Sequence, residues 1–65
     1  MRNSEQTTCV VARAGSGNRF MVWTATAGDA ELLAEALYEA RPRWEVTIDG
    51  KEAVFSRDGK VVGFI

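Results

Sequence analysis

Two Asp-Gly dipeptides, Asp49-Gly50 and Asp58-Gly59, punctuate the C-terminal part of the chain, and each lies between runs of strand-forming residues. Asp-Gly in that setting is the strongest short hairpin signal, because both residues accept the positive φ that a tight two-residue turn demands. The flanking runs are Arg43–Ile48, Lys51–Arg57 and Lys60–Ile65. Two such turns fix the register of all three strands, and a slip of one residue would turn every side chain to the other face. Ile48 then opposes Lys51, Val46 opposes Ala53 and Trp44 opposes Phe55. Across the second turn Phe55 opposes Val62 and Ala53 opposes Phe64. One face gathers Trp44, Val46, Ile48, Ala53, Phe55, Val62 and Phe64. The other carries Glu45, Thr47, Glu52, Val54, Ser56, Val61 and Ile65, with an apolar corner at Val54, Val61 and Ile65.

An apolar sheet face needs a cover, and the chain offers one helix, Thr26–Arg41. Thr26 and Asp29 have the spacing of a capping box, in which side-chain oxygens satisfy amides that lack a helical partner. Pro42 ends the helix by disfavouring helical geometry at Arg41. At 3.6 residues per turn, Leu33, Leu37 and Ala40 share one line, flanked by Leu32, Ala36 and Ala30. Glu31, Glu35 and Glu39 run opposite, bordered by Tyr38 and Ala34. The spacing predicts Leu and Ala facing inward and a row of carboxylates in water.

The remaining strands come first in the chain. Thr7–Ala14 and Arg19–Ala25 are β-branched and apolar, and Gly15-Ser16-Gly17-Asn18 between them is a turn cluster. With Ser16-Gly17 as the tip, Val11 faces Val22, Val10 faces Trp23 and Cys9 faces Thr24. One side of this hairpin carries Cys9, Val11, Phe20 and Val22, and the other carries Val10, Ala12, Met21 and Trp23. Residues 1–6 read as a polar arm with no apolar leader segment. The expected fold is α+β: residues 7–65 form one domain, a two-layer sandwich in β-β-α-β-β-β order, with one helix packed on a mainly antiparallel five-stranded sheet. This succession resembles the β-grasp order, in which a helix crosses a sheet between two hairpins. The size and order are also similar to some small phage-encoded inhibitors, certain anti-CRISPR proteins among them.

Composition restricts the chemistry. The chain has 65 residues, no histidine, one cysteine and a net charge of −1 from eight basic and nine acidic residues. Without histidine the commonest general base and the Ser-His and Cys-His pairs are missing, so no enzyme, metal site or cofactor is expected. Cys9 has no internal disulfide partner, which fits a reducing cytoplasm. No apolar run is long enough to span a bilayer, so no membrane partner is expected. Binding remains, and the expected partner is a protein. Glu31, Glu35, Tyr38 and Glu39 form one expected surface, suited to a basic groove. Val54, Val61 and Ile65, with a last strand at the sheet edge, form a second, open to strand addition or a homodimer. The alternative is a nucleic-acid-binding module using Arg41, Arg43, Arg57 and Lys60 at the loop ends.

Overall fold

β1 (Thr8–Arg13) is first in the chain yet lies inside the sheet, with β2 (Arg19–Thr24) on one side and β3 (Glu45–Ile48) on the other. β4 (Lys51–Phe55) and β5 (Val61–Phe64) complete the order β2-β1-β3-β4-β5, and every pairing is antiparallel. The computed structural model describes residues 7–65, so the expected arm at 1–6 lies outside the described residues. Helix α1 (Ala27–Ala40) joins β2 to β3 and passes over β1, covering one face of the sheet. The α+β two-layer architecture is therefore as expected, including a helix crossing between two antiparallel units.

The three turns differ because their side chains differ. Asp49 and Gly50 both have positive φ, 52° and 84°, and link Ile48 directly to Lys51 as the expected two-residue turn. Asp58-Gly59 does not repeat this. Only Gly59 has positive φ. The Ser56 hydroxyl accepts the amides of Asp58 and Lys60 and holds a three-residue loop instead. The lost residue is recovered by an irregularity after Val54, so that Phe55 pairs with Val61 while Ala53 still pairs with Phe64. This corrects two expectations: Val61 packs against the core, and Val62 is 65% exposed.

The first hairpin also closes over three residues. Ala14 N–H donates to the Asn18 carbonyl, and Gly17 alone takes positive φ. A two-residue tip would have put Ser16 in that region, where a side chain is strained. The register shifts by one from the expected one: Val10 faces Val22, Ala12 faces Phe20 and Cys9 faces Trp23. Val10, Ala12, Phe20 and Val22 thus share the helix side. Cys9, Val11, Met21 and Trp23 share the uncovered side.

The helix starts as expected, with Thr26 Oγ1 accepting the Asp29 amide at 3.0 Å. Its rotation differs. Ala30 and Ala34 are fully buried against Val10, Ala12, Val46 and Ile48, with Leu33 and Leu37 beside them. Leu32 is 66% exposed, and Ala36 and Ala40 are also in solvent. Small residues at the centre let the helix backbone approach a sheet whose largest fully buried side chains are only Val10 and Val46. Trp44 and Phe55 pack at the rim of this core. Phe20 meets Trp44 edge-on at 5.9 Å over the small Ala12.

Candidate functional site

Three of the expected binding residues are turned to structural use. Tyr38 stacks on Phe55 with ring centroids 4.2 Å apart and planes 13° from parallel. Glu35 is turned toward β5, where its carboxylate accepts the Val61 amide at 3.0 Å, and Lys60 Nζ approaches the same group at 3.9 Å. Val61 itself sits under the helix edge. The expected row of wet carboxylates is therefore broken in the middle. Glu31 is half-buried and Glu39 exposed. Glu35, Tyr38 and Glu39 line a shallow cleft of about 550 Å³ together with Arg57 and Lys60, so the acidic row faces basic side chains from the β4–β5 loop. Val54 is half-buried on the uncovered face and Ile65 is exposed at the end of the chain.

The basic residues are brought together by topology. The β1–β2 loop, the α1–β3 connection and the β4–β5 loop all open at one end of the sheet, because β3 begins opposite Arg13 and β5 begins opposite Phe55. Arg13, Arg19, Arg41, Arg43, Arg57 and Lys60 lie at that end, and among the described residues only Lys51 does not. Glu45 offsets one of them by accepting a hydrogen bond from Arg13. Glu35, Glu39 and Asp58 are the other acids there, with Glu35 beside Lys60. Asp29, Glu31, Asp49 and Glu52 sit toward the opposite end, so the small net charge conceals a polarised molecule.

The sheet face away from the helix is the other unoccupied feature. On its β1–β2 half, Met21 is 59% and Trp23 49% exposed, with Cys9 and Val11 half-buried between them and the sheet centre. The β3–β4 half is polar, with Glu45, Thr47 and Glu52 beside Val54. The expected register would have put Cys9 and Val11 on the opposite side from Met21 and Trp23, whereas the observed one gathers all four here. The alternation of β1 and β2 was visible, but both faces were apolar and only the loop length decides between them. No three or more Cys, Asp or Glu side chains converge into a metal-binding group among the described residues. No helix among them is long and apolar enough to cross a membrane.

Compared with known proteins, the chain matches no family model, no curated protein and no solved structure.

Proposed function

We propose that the protein is a non-enzymatic binding protein of the cytoplasm that docks a protein partner on the uncovered face of its β1–β2 hairpin, as an inhibitor or regulator of a larger complex. One observation carries this reading: Met21 and Trp23 stand about half exposed, side by side with Val11 and Cys9, on a face that none of the described residues covers. Aromatic side chains and methionine are enriched in protein contacts, and tryptophan is among the residues that carry most of the binding energy. The polar half of the same face, with Glu45, Thr47 and Glu52, would form the rim. The acidic helix row is the weaker candidate, since Glu35 and Tyr38 are engaged within the fold.

The test is affinity capture with the purified chain and with Val11→Lys, which places a charge at the centre of that face on a strand already paired on both sides. Loss of a partner from the Val11→Lys sample supports the reading. An identical partner set from both proteins ends it.

A second reading, binding to nucleic acid, is favoured by the gathering of six basic residues at one end. Fluorescence anisotropy of labelled DNA and RNA at low salt measures it. Binding that weakens steeply with salt and is lost on reversing Arg43, Arg57 and Lys60 to Glu supports the second reading. Absence of binding removes it.

A further inference from the structure

The two edges of the sheet are treated differently by the rest of the chain. β5 is short and irregularly paired after Val54, and Glu35 occupies the Val61 amide. These are features that protect an edge from pairing with another chain. Among the described residues, β2 has none of them. It is six residues long, pairs with β1 without irregularity and contains no proline. Arg19, at its start, is its single charge.

The direction of its free backbone groups follows from the loop. The pair Ala14 and Asn18 is hydrogen-bonded. In an antiparallel ladder such pairs recur at every second residue. Phe20, Val22 and Thr24 therefore turn their amides and carbonyls toward β1, while Arg19, Met21 and Trp23 turn theirs outward from the sheet. The outward-facing backbone groups belong to the same three residues whose side chains stand on the uncovered face.

We propose that β2 pairs antiparallel with β2 of a second copy of this chain, about a two-fold axis at Met21, joining the two sheets into one of ten strands. A two-fold axis through an antiparallel strand pair places each residue opposite a partner at a fixed sum of positions. Centring on Met21 makes Met21 oppose its own copy and Arg19 oppose Trp23, twice. All three outward-facing residues of each strand then form hydrogen-bonded pairs. The guanidinium of Arg19 lies across from an indole, a favourable cation–π partner, and the two arginines stay four positions apart. On the helix side Phe20 opposes Val22, so the exposed edge of Phe20 gains apolar cover. Centring on Val22 would leave Arg19 without a strand partner and reduce the hydrogen-bonded pairs. The pairing uses the strand edge and leaves the uncovered face open, so that the Met21 and Trp23 patches of both copies become one continuous surface. Occupation of that surface is a separate matter from the edge contact.

Sedimentation equilibrium across a wide concentration range tests the pairing. The wild-type chain is expected to move from 7.1 kDa toward twice that mass. Met21→Pro removes an outward amide that β1 does not use, and an edge strand tolerates proline there. It is expected to weaken association by about tenfold or more. Met21→Lys sets like charges opposite each other and has the same expected effect without the proline ring. Val11→Lys, on the face but off the edge, is expected to associate like wild type, so this proposal and the docking reading fail separately. The register is read by cysteine pairing in a Cys9→Ser background. Met21→Cys sits opposite itself at about the Cα separation that disulfides favour, and Val22→Cys does not. Cross-linking of Met21→Cys but not Val22→Cys supports the proposal. A wild-type chain that stays at 7.1 kDa overturns it, as does association undiminished by both Met21 variants, or preferential cross-linking of Val22→Cys.

Discussion

The Glu35 carboxylate, on the helix, accepts the amide of Val61, on the last strand, at 3.0 Å. The side chain is only one-fifth exposed, and this hydrogen bond ties α1 to the sheet at the point where β5 departs from regular pairing. Hydrogen bonds to a charged acceptor are worth more than neutral ones. Glu35→Ala is expected to cost about 1–2 kcal/mol in chemical denaturation. Amide exchange at Val61 should accelerate selectively. Lys60→Met removes only the exposed partner at 3.9 Å and is expected to cost under about 0.5 kcal/mol.

The rotation of α1 makes opposite demands on Ala34 and Leu32. Ala34 has no exposed surface, whereas Leu32 is 66% exposed. Ala34→Leu must force extra methylenes between helix and sheet, with an expected loss of about 1–3 kcal/mol. Leu32→Gln is expected to leave stability within about 0.5 kcal/mol of wild type. Thermal or urea melts of the two variants decide the point, and the reverse ranking would restore the leucine-centred phase.

Asp49 does two jobs. Its backbone takes φ of 52°, and its Oδ1 accepts the Cys9 amide at 3.0 Å while its own amide donates to the Cys9 carbonyl at 2.8 Å. The side chain thereby supplies the acceptor for the Cys9 amide at the end of the β1–β3 ladder. Asp49→Asn keeps the side-chain carbonyl and tolerates the left-handed conformation, so its stability should be close to wild type. Asp49→Gly keeps the turn and loses the acceptor, with an expected cost of about 1 kcal/mol. Asp49→Ala loses both and should be the least stable of the three in urea denaturation.

Tyr38 stacks on Phe55 and lies beside the β4–β5 loop, where a Cβ added at Gly59 would meet its ring at 3.6 Å. Tyr38→Phe retains the stacked ring and should keep nearly all the stability. Tyr38→Ala exposes Phe55 and should cost about 1–3 kcal/mol, below the range for a fully buried aromatic because Tyr38 is itself half-buried. Urea denaturation of both variants measures the difference.

The β3–β4–β5 unit was largely legible in the sequence because Asp49-Gly50 permits one turn geometry and the alternation on either side is clean. The second turn misled over Val61 and Val62, since the Ser56 hydroxyl selects the loop and two consecutive valines satisfy either face. In the first hairpin, Gly15-Ser16-Gly17 accepts a tip of two or three residues, and both choices bury valine. The helix phase is not legible from the leucine spacing, because leucine does not mark the buried line here. Against a sheet whose centre is valine and alanine, close approach favours alanine there and sends the leucines to the flanks. Arg13, Arg43 and Arg57 are distant in sequence. Their common location needed the strand order, which follows from the pairing of β1 with β3 and from nothing local.

That central seam has a kinetic consequence. In β1–β2 the widest pair, Thr8 with Thr24, spans 16 positions (24 − 8), and the later hairpins are tighter still. Val10 and Ile48 are 38 positions apart (48 − 10), and the seam joins two units that can each form from neighbouring chain. Closing the long loop carries most of the entropic cost of assembly. The slow step of folding should therefore be the meeting of the N-terminal hairpin with the C-terminal meander, and substitutions at Ala12 or Val46 should retard refolding more than substitutions in either outer strand.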